Sequence, residues 1–122
     1  MIERIEEMPP GTIGLRSSGR LTKNDYVEVL EPVLREGIAS GQLRLLFVIQ
    51  DYDGVAPGAW PEDFKTGMSA WFKDHSAWRR FAVVTDVEWL AKAMRMFAWA
   101  VPGEVMVCAL GEEKQARRWV AE

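Results

Sequence analysis

Residues 43–49, which read LRLLFVI, constrain the fold more than any other stretch of this 122-residue chain. After Arg44 the run is continuously apolar, and such a run is typical of a β-strand that is covered on both faces. Strands of that kind lie inside α/β sheets, where helices pack against each face. The run therefore predicts an α/β fold with residues 43–49 as its central strand.

The other predicted elements surround this strand. Residues 2–6 and 12–19 predict an opening hairpin, because the segment PPG at 9–11 is typical of a turn. Helices alternating with strands from residue 20 onwards imply parallel pairing through right-handed crossovers. We therefore expect one α/β domain over residues 1–122, with a mixed, mostly parallel sheet of about five strands and about four helices. Besides the central strand and the hairpin, residue spacing predicts strands over 80–85 and 104–110 and helices over 23–39, 60–74, 87–98 and 112–121.

Local signals predict how some of these elements begin and end. Thr22, with Asp25 three positions on, predicts a capped start for the helix at 23–39. Pro32 predicts a kink or an earlier break in that helix, since proline removes a backbone donor. Asp86 is the expected cap of the helix at 87–98. Residues 50–61 contain two glycines and two prolines and are expected to form a loop.

Charge and cysteine content exclude several classes of function. The chain has 15 Lys+Arg against 18 Asp+Glu and a pI near 5.3, so it lacks the basic excess that nucleic-acid binding requires. Cys108 is the single cysteine, which excludes an intramolecular disulfide and favours a reducing compartment. The acidic start, MIERIEE, is unlike a secretory signal, and no apolar run is long enough to span a bilayer. We expect a cytoplasmic protein without a transmembrane segment.

The polar motifs predict no catalytic or metal site. The segment DYDG at 51–54 resembles the start of a calcium loop, but Val55 and Ala56 follow where that loop needs an oxygen ligand and a glycine. The segment DHS at 74–76 has the residue types of a hydrolase triad, but adjacent residues cannot align as one. Cys108 lies in an apolar strand, which favours a core position over a nucleophile. We expect no catalytic residue, no metal and no cofactor.

The chain is rich in tryptophan and methionine, with six of each. Apolar side chains repeat at helical spacing in the predicted helices at 60–74 and 87–98, so each helix has an apolar face. These side chains are either ordinary core residues that cover the sheet or the lining of an apolar pocket. They are Trp60, Phe64, Met68 and Trp71 in the first helix and Met94 and Phe97 in the second.

The predicted helix at 87–98 carries a second apolar stripe. It is formed by Trp89, Ala93, Met96 and, beyond the helix, Ala100. A helix that is apolar over so wide an arc needs a second partner, which is a ligand, another subunit or a membrane surface.

Several stretches together resemble the SpoIIAA-like family, which shares the STAS-like fold of anti-sigma factor antagonists. They are the opening MIERIEEMPPGTIGLRSSGRLTKNDY, the central RLLFVIQDYDG, and the later FAVVTDVEWL, VPGEV and ARRWVAE. Through the family's similarity to CRAL-TRIO lipid carriers, the resemblance implies binding of an apolar ligand or contact with a membrane. Anti-sigma factor antagonists also carry a phosphorylatable Ser or Thr in the loop after the central strand. Residues 50–63 hold neither, so the resemblance does not extend to that switch.

We therefore expect a non-enzymatic protein that binds an apolar small molecule or lipid between the helices at 60–74 and 87–98 and the sheet. The six apolar residues of the two predicted faces are its expected lining. An alternative is a protein-interaction or regulatory module, such as a homodimer, with Trp89 and Met96 at the interface. Peripheral contact with a membrane is compatible with both, and a nucleic-acid partner is not expected.

Overall fold

The computed structural model describes residues 1–55, 77–98 and 103–122. Within these residues five strands form one sheet, in the order β1–β2–β3–β4–β5. β1 pairs antiparallel with β2, and every later pair is parallel. The predicted mixed, mostly parallel sheet is confirmed, with β3 at its centre. The strands are β1 (Ile2–Ile5), β2 (Ile13–Leu21), β3 (Leu43–Val55), β4 (Trp78–Thr85) and β5 (Glu104–Cys108).

Helices follow β2, β4 and β5 along the chain. The predicted helix at 60–74 lies outside the described residues. Its four predicted pocket-lining residues, Trp60, Phe64, Met68 and Trp71, lie outside them as well. The helices are α1 (Lys23–Asp25), α2 (Glu31–Ala39), α3 (Glu88–Phe97) and α4 (Glu113–Ala121), with a π-helical turn at Tyr26–Leu30 and a 3-10 turn at Leu110–Glu112.

β3 is buried on both faces, as its apolar run predicts. Leu45 belongs to one core cluster and Leu46 to the other, and neither exposes any surface. The first cluster includes Val33 of α2, and the second includes Val120 of α4. α2 and α4 therefore cover opposite faces of the sheet, because successive residues of a strand point to opposite sides.

The predicted helix at 23–39 is confirmed in extent, as an uninterrupted run of α1, a π-helical turn and α2. Thr22 and Asp25 cap the first of them, since the Thr22 amide donates to Asp25 Oδ2 over 2.9 Å and the Asp25 amide donates to Thr22 Oγ1 over 3.3 Å. A π-helical turn lies between α1 and α2, and the backbone stays helical through Leu30, which has φ −66° and ψ −50°. Pro32, which lacks a backbone donor, lies directly after this turn, in the first turn of α2. The helix therefore continues past Pro32 without a break, and the irregularity beside the proline is the π-helical turn.

β3 continues to Val55, six residues beyond its predicted end, so the expected loop at 50–61 was wrong over its first part. The extension pairs with β2, where Gly19 lies opposite Tyr52. Asp51 lies between the paired residues Gln50 and Tyr52 and has a φ of 48°. A single residue in the left-handed region forms a bulge here and lets the pairing resume beyond it.

The expected cap of α3 was also wrong. The hydroxyl of Thr85 accepts a hydrogen bond of 3.1 Å from the Val87 amide at the start of α3. Asp86 instead accepts a hydrogen bond of 3.0 Å from the Leu110 amide through Oδ1. This bond ties the β4–α3 connection to the turn that follows β5, so the carboxyl ends of the two strands are held together.

Candidate functional site

The structure tests the predicted apolar lining only on the α3 side. Trp60, Phe64, Met68 and Trp71 lie outside the described residues. Met94 is half-buried in α3, and Phe97 is the last residue of that helix. The expected site between two helices and the sheet therefore stays a prediction.

A pocket of about 620 Å³ lies beside α3, at the carboxyl ends of β4 and β5. Pockets that hold small molecules enclose about 300–1,000 Å³, so this one has a suitable size. β5 is the last strand of the described sheet, and one of its edges faces no other described strand. Residues of α3, of β5 and of the start of α4 all line the pocket, which therefore extends along this strand edge.

Several of the residues that line the pocket are apolar. They are Ala91 of α3, Met106, Val107 and Cys108 of β5, and Ala109. Ala91 is buried, and the three β5 residues are half-buried. Because these side chains offer no charged group, this wall favours a ligand with an apolar part.

Two cations of α3 line the same pocket. Lys92 and Arg95 are three residues apart, which places them on neighbouring turns of one helix face. Both are exposed, and neither forms an ion pair with another residue in the described ranges. Their charges are therefore available to a bound anion.

Three carboxylates also border the pocket, but two of them have partners in the fold. Asp86 accepts from the Leu110 amide, and Glu112 accepts a hydrogen bond of 3.2 Å from the Ala109 amide. Glu88 forms no ion pair with the described part of the chain. The acids Asp86 and Glu112 thus shape the turns around the pocket, and within the described residues Lys92 and Arg95 have no ion-pair partner.

Cys108 is part of the pocket wall, where the sequence predicts an ordinary core residue. Partial burial raises the pKa of its thiol, and the nearby charge of Glu112 raises it further. A thiol with a raised pKa stays protonated and reacts slowly as a nucleophile. The arrangement therefore favours Cys108 as apolar surface.

The outer face of α3 carries the second apolar stripe. Trp89 is 59% exposed and Met96 is 73% exposed, and half-buried Ala93 lies between them. The Trp89 ring contacts Tyr52 of β3 edge to face, with 5.8 Å between ring centroids. The stripe is accessible on the surface, beside the pocket face of the same helix.

Sequence reasoning missed most residues of the pocket wall. The sequence shows Lys92 and Arg95 as cations between two apolar stripes. It does not indicate that they line the same pocket as Met106 and Gln115. That juxtaposition depends on the parallel register of β4 and β5, which places Val84 opposite Cys108.

Residues 1–55, 77–98 and 103–122 contain no cluster of three or more His, Cys, Asp or Glu side chains suited to a metal ion. The helices within those ranges also include none with the length and apolar character needed to cross a membrane.

Comparison with known proteins places the chain in a family. No curated protein matches it. A solved structure with a SpoIIAA-like fold, from an uncharacterized protein of Shewanella loihica PV-4, is 26% identical. That match covers 98% of this chain and 93% of the other, with a TM-score of 0.68. The model of the SpoIIAA-like family matches residues 12–121. With nearly its whole length matched, the chain belongs to the SpoIIAA-like family.

Proposed function

We propose that the pocket beside α3 binds a small amphipathic molecule with one anionic group, and that the protein carries out no chemistry on it. The observation that supports this is that Lys92 and Arg95 line the same pocket as several apolar residues and have no ion-pair partner in the described part of the chain. The proposal keeps the apolar ligand that the sequence predicts and adds an anionic end to it.

The cations of the pocket favour the anionic group of such a ligand, and its apolar residues favour the apolar part. Arg and Lys donate charge-assisted hydrogen bonds to carboxylates and phosphates, and these are stronger than neutral ones. Met106, Val107 and Ala91 gain by losing contact with water, at about 0.8 kcal/mol for each methylene group that a ligand buries. A wholly neutral lipid would leave both cations without a partner.

Of the predicted lining residues, the structure describes the side chain of Met94 and not those of the residues at 60–71. Met94 belongs to α3 but does not line this pocket. The proposal therefore places the ligand between α3, the edge of β5 and the start of α4.

Titration calorimetry with decanoate, decanol and decyltrimethylammonium tests the ligand class. We expect decanoate to bind most tightly, because only it offers both an apolar chain and an anion. Lys92→Ala and Arg95→Ala should each weaken decanoate binding about three- to tenfold. Matched controls are Lys23→Ala in α1 and Arg118→Ala in α4, both exposed and outside the pocket, which should bind as the wild type does.

Two results would contradict the proposal. One is decanol binding as tightly as decanoate, since the cations would then have no role. The other is the absence of decanoate binding at millimolar concentration. Native mass spectrometry of freshly purified protein supplies an independent check, because a retained amphipathic anion would add mass that denaturation removes.

A second candidate function is protein–protein interaction, which the exposed Trp89 and Met96 favour. Large apolar side chains that form a contiguous exposed stripe are typical of interaction surfaces. Sedimentation velocity over a range of protein concentrations tests this role, and a shift to a larger species on concentration is the expected result. A change of both residues to alanine should abolish that shift.

A further inference from the structure

We infer that the pocket beside α3 selects a singly charged anionic group, a carboxylate, and discriminates against a doubly charged one such as a phosphate monoester. This inference rests on the proposed function, because it names the anionic group of the proposed ligand. Glu88 is the residue that sets the selection most directly, since it lines the pocket on the same helix as Lys92 and Arg95. The ligand class is therefore that of aliphatic carboxylic acids.

Acidic side chains outnumber basic ones in the lining of the pocket. The carboxylates are those of Asp86, Glu88 and Glu112, and the cations are Lys92 and Arg95. The adjacent cations match the first negative charge of a ligand. A second negative charge would meet a lining that is negative as a whole, so it gains no attraction while its removal from water costs more.

Glu88 lies close to the cations that hold the anionic group. Lys92 follows it by four residues and Arg95 by seven, so all three lie on one face of α3. With a rise of 1.5 Å for each residue, Glu88 and Lys92 are about 6 Å apart along the helix axis. That distance is shorter than the Debye length of about 8 Å in physiological salt, so dissolved ions screen the repulsion only in part. Glu88 has no ion-pair partner among the described residues, so none of them neutralises its charge.

Backbone donors around the pocket are engaged within the fold. Phosphate groups are typically held by free N–H groups at a helix N-terminus. Side-chain oxygens of this chain already accept the amides at the start of α3 and in the turn after β5, which are those of Val87, Ala109 and Leu110. Binding of the anion therefore depends on the side chains of Lys92 and Arg95, and the planar fork of an arginine suits a carboxylate.

Calorimetric titration with decanoate, decyl sulfate and decyl phosphate, each below its micelle-forming concentration, tests the inference. Decyl sulfate has the tetrahedral shape of the phosphate but only one charge, so it separates the effect of charge from that of shape. At pH 8 the phosphate monoester is doubly charged, and we expect it to bind about three- to tenfold more weakly than decyl sulfate. At pH 5.5, where the monoester is mostly singly charged, this difference should shrink.

Glu88→Gln supplies a second measurement, because it removes the charge and keeps the length of the side chain. At pH 8 it should strengthen the binding of decyl phosphate about two- to fivefold and that of decyl sulfate less, since a doubly charged group is repelled more strongly. Glu3→Gln is the matched control, because Glu3 is exposed in β1 and outside the pocket, and it should bind both ligands as the wild type does. Thermal unfolding of each variant shows whether the fold is retained.

Two results would overturn the inference and leave the proposed function in place. One is decyl phosphate binding at pH 8 as tightly as decyl sulfate. The other is an equal gain for both ligands in Glu88→Gln, since Glu88 would then not distinguish between them. A failure of both decanoate and decyl sulfate to bind at millimolar concentration would instead remove the proposed function, and this inference with it.

Discussion

The guanidinium of Arg16 holds the carboxylate of Glu113 with two hydrogen bonds, of 2.9 and 3.2 Å. Arg16 also donates to Gln50 over 3.0 Å, and Glu113 accepts from Arg117 over 2.9 Å. Arg16 belongs to β2, Gln50 to β3 and Glu113 to the start of α4, so this cluster joins two strands to the last helix. The acid is also well placed at a helix N-terminus, where a negative charge is stabilised.

We predict that Arg16→Ala lowers the free energy of unfolding by about 1 kcal/mol, because Glu113, which is partly buried, loses its bidentate partner. Urea denaturation measures this value. Arg118→Ala is the control, since Arg118 is exposed and forms no ion pair with the described residues. Equal stability of the two variants would show that the Arg16–Glu113 pair contributes little.

The same pair predicts a pH dependence. The hydrogen bonds from Arg16 lower the pKa of Glu113, and together with the charges of Arg16 and Arg117 they outweigh partial burial, which by itself would raise that pKa. Because the folded-state pKa lies below the ordinary value, the unfolded chain takes up this proton first as the pH falls. The stabilisation is complete above the ordinary glutamate pKa and is lost as the pH falls through the lowered value. The stability difference between wild type and Arg16→Ala should therefore shrink on acidification, and a constant difference from pH 7 to about pH 3 would contradict this account.

Neighbouring arginines on β4 give a matched comparison. Arg80 donates a hydrogen bond of 2.7 Å to the Trp119 carbonyl near the end of α4, pairs with Glu104, and lies 4.8 Å from the centroid of the Trp119 ring. Arg79 is exposed and has no such partners within the described ranges. We predict that Arg80→Ala destabilises the fold by about 1–2 kcal/mol, since it removes the cation–π contact, the ion pair with Glu104 and one of the two donors to the Trp119 carbonyl, the other being the Glu122 amide. Arg79→Ala should change thermal stability little, and a similar loss in both variants would refute the assignment.

Gly103 is predicted to tolerate no side chain. A Cβ at this position would lie 2.8 Å from the Arg79 carbonyl oxygen and 2.9 Å from that of Trp78, and these backbone atoms belong to β4. Gly103→Ala should therefore cost about 1–3 kcal/mol in chemical denaturation, because relief of the clash requires β4 and β5 to separate. Gly111 has no atom within 4 Å of a built Cβ and no positive φ, so Gly111→Ala should be neutral or stabilise slightly. If Gly111→Ala were the more destabilised variant, the close approach of the β4 backbone could not be the reason for a glycine at position 103.

The central strand of the sheet could be predicted from the sequence because the continuous apolar run at 43–49 is typical of a strand that is buried on both faces. The sequence was insufficient for the end of β3, where Asp51 and Gly54 resemble turn residues but pairing with β2 overrides that local preference. It assigned the α3 cap to Asp86 because an acid just before a helix is a good capping residue, whereas the structure shows that the Asp86 carboxylate accepts from the Leu110 amide after β5. The pocket could not be predicted from the sequence for a different reason. Its wall is formed by residues of α3, β5 and α4, which are brought together only when these elements pack against each other.

Cys108 provides a direct probe of the proposed pocket, because it lines the wall and is the single cysteine of the chain. Burial and the charge of Glu112 raise its pKa, so a smaller fraction is thiolate at neutral pH than in a free cysteine. We predict that iodoacetamide labels Cys108 at least tenfold more slowly in the folded protein than in the urea-unfolded chain, and that the rate rises with pH as the thiol ionises. Saturating decanoate should slow labelling further, because a ligand on the apolar wall covers the sulfur, whereas decyltrimethylammonium should not. Mass spectrometry of the single adduct measures each rate, and labelling that decanoate leaves unchanged would place any bound fatty acid outside this pocket.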